Sequence, residues 1–230
     1  MLSVPDTDQW RFERKFFIEH SNRHAIQSLI KFHPSLFSEV YHQRFVNNIY
    51  LDTYAMTHYF DNLFGKDMRA KVRIRWYDEL LGYVRQPVLE IKIKNGLLNH
   101  KRSFTLHPLT INNQLSIGAV RNAMLTADIP PLIKLHLADL TFSVMNRYSR
   151  TYYLSADRTF RLTIDTGLEF INLTRLTNSF MNTSIDHTAV ILELKYDKEH
   201  DQRAESITRH FPFRLTRSSK YAKGVELLYA

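Results

Sequence analysis

Two short stretches of the chain place cationic side chains at every second position. In KVRIRWY (71–77) and in LEIKIK (89–94), charged and apolar residues alternate strictly. A period of two is typical of β-strands with two unlike faces. Like charges that face one another across strands are destabilising, so a shared cationic face predicts an anion that neutralises it. The cations in question are Lys71, Arg73, Arg75, Lys92 and Lys94.

The same alternation recurs in four further predicted strands. A solvent-exposed sheet face would explain any one of them, because amphipathic antiparallel strands are common. Exposed faces usually mix the two signs of charge, however, whereas only four carboxylates, those of Glu13, Glu90, Asp165 and Glu193, accompany the cations here. The repetition therefore favours an enclosed basic face. Its additional members are Arg11, Lys15, Tyr148, Arg150, Arg161, Thr163 and Lys195.

Overall composition agrees with a polyanionic partner. The 230 residues contain 31 Lys and Arg against 23 Asp and Glu, which gives a net charge of +8. Such a balance favours nucleic acid, phosphate compounds or an anionic membrane surface. Because cysteine is absent, disulfides, thiolate metal sites and cysteine nucleophiles are excluded. The start of the chain lacks a signal-peptide pattern and no 18-residue apolar run occurs, so we expect a cytoplasmic protein without a membrane segment.

Eight strands and several helices are predicted to carry these residues. The strands arrive in a run with few helices between them, which favours hairpins and an antiparallel sheet. Eight strands are enough to close a barrel around a ligand. We therefore predict one α+β domain over residues 1–230, an eight-stranded antiparallel β-barrel with helices packed outside. The strands are 10–18, 44–52, 70–78, 87–94, 101–106, 145–154, 159–165 and 189–196, with a turn at Asn95-Gly96; the helices follow Ser21, cover 113–125 and 131–142, and form two pieces of the tail on either side of 211–213.

A basic lumen of this kind is suited to linear phosphate chains. Arginine and lysine meet phosphate oxygens through charge-assisted hydrogen bonds. A few carboxylates among the cations make chemical sense if they hold Mg²⁺ or Mn²⁺, which bridges carboxylate and phosphate oxygens. The chain has no Walker A loop, because Gly65-Lys66 lacks the upstream glycine and the following Ser or Thr. A phosphate site would thus consist of side chains on strands.

A series of motifs in this chain resembles a known family. ERKF, NIYLDT, KVRIRWY, LEIKIK, RYSR, RLTIDTGL, LELKY and RSSKYAKG follow one another from about Glu13 to Gly224. Their order is similar to that of the VTC-type polyphosphate polymerase domain, a member of the triphosphate tunnel metalloenzymes. The resemblance implies an eight-stranded barrel whose basic tunnel binds ATP, triphosphate or polyphosphate together with Mn²⁺ or Mg²⁺.

The resemblance also implies roles for individual residues. Glu193 of LELKY would be the principal metal ligand. The catalytic cations would be Arg73, Arg75, Lys92, Arg161 and Lys220. Further contacts to the phosphate chain would come from Lys15, Lys94, Tyr148, Arg150, Lys195, Arg217 and Ser219. One departure is that Arg11 stands where the wider superfamily has the first glutamate of E-x-E-x-K, which fits the polymerase branch better than the triphosphatases.

Three alternatives to a polymerase remain open at the level of sequence. Water could replace the phosphate acceptor in the same site, which would make the protein an inorganic or nucleoside triphosphatase. The barrel could also bind polyphosphate without turnover. Nucleic-acid binding is disfavoured, because only Tyr77 among the aromatics of the two opening stretches shares the cationic face. No obligate protein partner is evident.

Overall fold

The computed structural model describes residues 11–19, 23–95, 98–174, 178 and 180–229. Eleven strands and six α-helices occur in this part of the chain. The strands are β1 (Arg11–Ile18), β2 (Ser38–Asp52), β3 (Met68–Tyr77), β4 (Gly82–Val84), β5 (Val88–Asn95), β6 (Leu98–Thr105), β7 (Leu109–Ile111), β8 (Thr141–Leu154), β9 (Arg161–Asn172), β10 (Thr183–Asp186) and β11 (Val190–Asp197). The helices are α1 (Arg23–Lys31), α2 (Thr57–Leu63), α3 (Ile117–Thr126), α4 (Pro131–Leu137), α5 (Asp201–Thr208) and α6 (Lys220–Tyr229).

A nine-stranded antiparallel sheet forms the centre of the fold. Eight strands follow the path β1-β11-β9-β8-β2-β3-β5-β6, and β10 pairs with β9 beside it. The two ends of the path, β1 and β6, lie next to each other. The predicted α+β antiparallel architecture is therefore confirmed. Within the described residues no hydrogen-bonded ladder joins β1 to β6, so closure into a complete barrel stays a prediction.

Alternation along the strands separates an apolar outer face from a charged inner one. On β3 and β5 the side chains of Val72, Ile74, Ile91 and Ile93 are buried in a core that includes residues of α3 and α4. A second core under α1 and α5 takes its sheet residues from β1, β8, β9 and β11. Helices α1, α3, α4 and α5 thus cover the outside of the sheet, as the amphipathic pattern of the strands predicts. We call the opposite side of the sheet, which carries Lys15, Arg73, Arg75, Lys92 and Arg150, the concave face.

The last helix lies on the concave side instead. Tyr221 and Val225 of α6 belong to a buried cluster with Tyr50 and Tyr148, and the Tyr221 ring stacks on that of Tyr50 with 4.9 Å between the centroids. Tyr50 of β2 is paired in register with Arg73 of β3. Helix α6 therefore covers one end of the concave face and brings the segment that precedes it into contact with the strands.

We expect Gly224 to be essential for this packing. A Cβ atom at Gly224 would lie 2.6 Å from Phe170 Cδ1 and 3.1 Å from Val144 Cγ2. Overpacking of this kind costs about 1–3 kcal/mol, so Gly224→Ala should lower the melting temperature by several degrees. Gly118→Ala in α3 is the control: its nearest neighbour would be 3.7 Å away, and alanine in a helix is favoured over glycine. Equal melting temperatures for the two variants would contradict close packing of α6.

Several predicted boundaries are wrong. The helix predicted over 131–142 ends at Leu137, because Thr141 and Phe142 pair with β2 and begin β8. Strands β2, β8 and β9 are longer than predicted, and α2, β4, β7 and β10 were not predicted. Trp10, Ser21 and Gly96, on which parts of the prediction rest, lie outside the described residues. Among the helices that the structure describes, none is both long and apolar enough to span a membrane.

Candidate functional site

Curvature of the sheet brings distant strands together over the concave face. Lys92 on β5 donates a hydrogen bond to Glu13 on β1, with 2.9 Å between Nζ and Oε2. Along one direction of the strand path, five strands separate β1 from β5. A flat sheet could not bring these side chains into contact, so the concave face is enclosed by strands from both ends of the path.

Two carboxylates share a lysine at the junction of β1 and β11. The register of these strands places Lys15 opposite Glu193. Lys15 Nζ lies 2.5 Å from Glu13 Oε1 and 3.2 Å from Glu193 Oε1, and Lys195 Nζ lies 3.1 Å from Glu193 Oε2. Burial raises the pKa of Glu193, but Lys195 and Lys15 outweigh this effect and hold it well below its usual value. Glu193 is therefore ionised at neutral pH.

A fully buried carboxylate connects the sheet to α6. Arg150 binds Asp165 in bidentate fashion, with Nε–Oδ1 2.5 Å and Nη2–Oδ2 2.7 Å. Lys220, the first residue of α6, places its Nζ 2.5 Å from Asp165 Oδ2. Arg150 Nη2 also lies 3.6 Å from Glu193 Oε2. Lys220 and Arg150 are thus held at the concave face by a shared partner, and this geometry restricts their motion.

Glu90 organises a second group of cations on β3, β5 and β6. Arg73 contacts Glu90 Oε2 through Nε at 2.7 Å and Nη2 at 2.6 Å. Arg75 Nη1 lies 3.5 Å from the same oxygen, and Lys101 Nζ lies 3.0 Å from Oε1. Burial raises the pKa of Glu90, but Arg73 and Arg75 hold it far below its usual value. One carboxylate against three cations leaves net positive charge at this point of the concave face.

Repulsion between neighbouring cations is visible at two lysines. Burial, and then the charges of Lys15 and Lys92, lower the pKa of Lys71 well below its usual value. Burial, followed by Arg69 and Arg217, lowers the pKa of Lys94 in the same direction. The ammonium group of Lys71 also donates a 2.7 Å hydrogen bond to Ser219 Oγ just before α6. A multiply charged anion would relieve this repulsion and raise both pKa values.

Tyr148 lies at the centre of the cations and is only 1% exposed. Lys220 Nζ is 4.5 Å from the centroid of its ring, and Arg150 Cζ is 5.2 Å away. Burial raises the pKa of the Tyr148 phenol, but the positive charges of Arg150, Arg75 and Lys220 outweigh this effect and lower the pKa to about 8. At neutral pH Tyr148 is therefore a neutral hydrogen-bonding group in a strongly positive environment.

The remaining predicted residues lie towards the rim. Arg161 is exposed at the first position of β9 and pairs in register with Lys195. Arg217 is exposed in the segment before α6 and acts on Lys94 through its charge. The structure thus brings most predicted side chains onto one face but leaves Arg161 and Arg217 at its edge. A catalytic role for Arg161 stays a prediction.

The roles implied by the resemblance leave out five residues that the structure places among the predicted ones. The alternation of their strands puts Lys71, Glu13, Glu90 and Asp165 on the charged face, although the resemblance implies no binding role for them. Asn48 carries no charge signal, yet its Oδ1 accepts a 3.0 Å hydrogen bond from Arg75 Nε. Only the pairing of β2 with β3 shows that Asn48 orients this arginine.

The carboxylates of Glu13 and Glu193 could hold a divalent metal. They lie within reach of the same ammonium group, that of Lys15, and supply the oxygen ligands that Mg²⁺ and Mn²⁺ prefer. No group of three or more His, Asp or Glu side chains suited to a metal occurs in the part of the chain that the structure describes. Magnesium is commonly bound by one or two carboxylates together with phosphate oxygens. The two carboxylates fit a metal whose coordination a phosphate ligand completes.

Ionisation of Tyr148 predicts a pH dependence of anion binding. As the pH rises through about 8, the phenolate should repel a bound triphosphate, and affinity should fall by at most roughly tenfold per pH unit, the limit for one proton. In the Tyr148→Phe variant, the part of the fall in affinity that the phenolate causes should be absent. Lys71 and Lys92, whose pKa values are also lowered, lose charge in both proteins, so the difference isolates Tyr148. Calorimetry with tripolyphosphate in chelator measures it; identical pH profiles would contradict the assignment.

Comparison of the whole structure with solved structures gives similarity of fold at low sequence identity. A candidate adenylate cyclase from Vibrio parahaemolyticus matches with a TM-score of 0.55 and 10% identity over 96% of this chain and 99% of the other. A candidate adenylyl cyclase from Hippeastrum is described as having a dominant triphosphatase activity. It matches with a TM-score of 0.55 and 14% identity over 95% of this chain and 98% of the other. The PH1819 protein of Pyrococcus horikoshii matches with a TM-score of 0.51 and 11% identity over 94% of this chain and 99% of the other. At these identities the likeness concerns the fold alone.

Comparison at the level of sequence is more specific. No curated protein matches this chain. The family model of the VTC domain, in contrast, matches residues 10–229, which is nearly the whole length and includes every strand of the concave face. The ordered motifs from ERKF to RSSKYAKG implied this family, and the match confirms it. The chain belongs to the VTC domain family.

Proposed function

We propose that this protein is a phosphoryl transferase that joins the γ-phosphate of ATP to a growing polyphosphate chain. The observation that carries the proposal is the excess of cations on the concave face, where ten cationic side chains of the described residues accompany four carboxylates. The cations are Lys15, Lys71, Arg73, Arg75, Lys92, Lys94, Lys101, Arg150, Lys195 and Lys220, and the carboxylates are Glu13, Glu90, Asp165 and Glu193. Such a surface suits an anion with many charges along a line.

The reaction requires the protein mainly to bind its substrates and to orient them. A terminal oxygen of the acceptor chain attacks the γ-phosphorus of ATP, the bond to the bridging oxygen breaks, and ADP leaves. Arg73, Arg75 and Lys92 would hold the phosphates in line, while Lys220 and Arg150 would face the charge that develops on the equatorial oxygens. A divalent metal on Glu193 and Glu13, when bound, would supply further charge neutralisation.

Hydrolysis is the second candidate activity. Water could attack the same phosphorus and release phosphate without an acceptor. A triphosphatase activity is described for the Hippeastrum protein, whose fold is similar to that of this chain. Membership of the VTC domain family favours the polymerase, since the resemblance implies polyphosphate synthesis.

Incubation of the pure protein with ATP and Mn²⁺, followed by gel electrophoresis, separates the two activities. A polymerase yields a ladder of polyphosphate, whereas a triphosphatase yields only free phosphate. Calorimetry in chelator provides the binding test: tripolyphosphate should bind far more tightly than orthophosphate, because a chain contacts several cations at once. Equal affinities would mean scattered surface sites and would contradict a phosphate-chain site.

A further inference from the structure

The end of the concave face that lies away from α6 is rich in tyrosine. Tyr77 continues the alternation of Arg73 and Arg75 on β3 and is 39% exposed. Arg44 of β2 places its Cζ 4.1 Å from the centroid of the Tyr77 ring. The same guanidinium lies 5.0 Å from the ring of Tyr152 and donates a 3.3 Å hydrogen bond to its hydroxyl. The cationic surface thus passes directly into an aromatic one.

A cleft of about 300 Å³ opens beside Tyr77. Its apolar lining residues are Trp76, Tyr77, Leu81, Tyr83 and Val84, and its polar ones are Glu79, Arg85 and Gln86. This combination of flat apolar walls and a few hydrogen-bonding groups is typical of small-molecule sites. The volume lies at the lower end of the range for such sites, which is suitable for a single aromatic base with part of its sugar.

Hydrogen bonds fix the turn at the base of this cleft. The backbone carbonyl of Glu79 accepts a 2.9 Å hydrogen bond from Trp76 Nε1 and a 3.2 Å hydrogen bond from Asn47 Nδ2. The carbonyl of Asp78 accepts another from Arg147 Nη2 at 3.3 Å, and the Asp78 backbone N–H donates to Phe45 O at 3.0 Å. A wall held in this way loses little conformational freedom when a ligand binds.

Position decides which ligand the cleft suits. Tyr77 belongs both to the cleft and to the strand face that carries Arg73 and Arg75, and alternate residues along a strand are about 7 Å apart. A ligand in the cleft can therefore extend a chain of phosphates over these arginines. Aromatic rings stack on bases of any identity, and the carboxylate, guanidinium and amide at the edge could contact polar groups of a base.

We propose that the cleft lined by Tyr77, Leu81 and Tyr83 binds the nucleoside of a nucleoside triphosphate whose phosphate chain lies on the concave face. This inference rests on the proposed function, because the phosphates must occupy the cations for the base to reach the tyrosines. In this orientation the terminal phosphate points from Tyr77 toward Arg73 and Lys71, the part of the concave face nearest to α6.

The test compares ATP with tripolyphosphate, which carries the phosphates but no nucleoside. The variant is Tyr77→Ser/Tyr83→Ser, and the control is Phe32→Ser, which removes an 87% exposed aromatic at the end of α1. Calorimetry in chelator should show ATP affinity reduced by roughly 5- to 100-fold in the double variant, the range for loss of base stacking. Affinity for tripolyphosphate should stay within about twofold of the wild-type value, and the control should change neither affinity.

Different failures have different meanings. If ATP and tripolyphosphate lose affinity together, the cleft serves the phosphates, and if ATP affinity is unchanged, the base lies elsewhere; either result overturns the nucleoside site. Single-stranded RNA that binds more tightly than ATP and loses affinity in the same variant would assign the cleft to nucleic acid and also overturn it. If the wild-type protein binds neither tripolyphosphate nor ATP, the proposed function itself fails.

Discussion

Replacement of Glu193 by glutamine is expected to lower ATP turnover by about 100-fold or more, while metal-free binding of triphosphate is retained or strengthened. The substitution keeps the shape of the side chain but removes a negative charge beside Lys15, Lys195 and Arg150. Loss of that charge leaves the concave face more positive, which favours the anion. If Glu193 holds a metal ion, the variant also loses the several kcal/mol of transition-state stabilisation that the bound metal would supply, and each 1.36 kcal/mol corresponds to tenfold in rate.

Glu90→Gln provides a matched control for this prediction. Glu90 is also buried among three cations, Arg73, Arg75 and Lys101, so its replacement removes the same charge from a similar environment. Both variants should bind tripolyphosphate in chelator at least as well as the wild type. Only Glu193→Gln should change the Mn²⁺ concentration that gives half-maximal turnover. Retained turnover with unchanged metal dependence in Glu193→Gln would show that this carboxylate merely pairs with its neighbouring cations.

The double variant Arg73→Ala/Arg75→Ala is expected to lose most of the thermal stabilisation that tripolyphosphate gives to the wild-type protein. A ligand that binds only the folded state stabilises it in proportion to the logarithm of its concentration over the dissociation constant. Hydrogen bonds to charged groups contribute about 1.5–3 kcal/mol each. Loss of two such contacts should weaken binding by 100-fold or more, and at a ligand concentration that saturates the wild type the shift in melting temperature should nearly vanish.

Arg203→Ala/Arg209→Ala is the control for net charge. Arg203 lies on α5 and pairs with Asp157, and Arg209 directly follows this helix and pairs with Glu205. The control also removes two positive charges, so the net charge that attracts the anion at long range changes by the same amount. Its thermal shift with tripolyphosphate should equal that of the wild type. An undiminished shift in the Arg73/Arg75 variant would mean that the anion binds away from Glu90 and its arginines.

Much of the site could be predicted because its signal is local. The alternation in KVRIRWY and LEIKIK places Arg73 and Lys92 on the face opposite Val72 and Ile91, and the structure has these faces as predicted. Side chains alternate in any β-strand whatever its partners are, so the parity of a strand can be predicted without knowledge of the sheet. The order of the motifs likewise identifies the VTC domain family without coordinates.

Other features depend on which strands and helices meet. No local pattern shows that β1 lies close enough to β5 for Glu13 to bind Lys92, or that α6 turns onto the concave face and directs Lys220 to Asp165. Charge alone does not place a residue in the site either. Arg14 has the same charge as Lys15, yet it contacts Tyr196 and Asp201 on the outer side of the sheet.

The sequence by itself thus determined the faces of the strands, the excess of positive charge and the family of this protein. The tertiary structure decided which charges are paired, which are shared and which repel one another, and it left Arg161 at the rim. The physical reason is that ion pairs such as those of Glu193 and Glu90 form between residues distant in sequence, at separations that only strand register and sheet curvature determine. Burial and the neighbouring charges together then set the pKa values of the groups on the concave face, the candidate site for a phosphate chain.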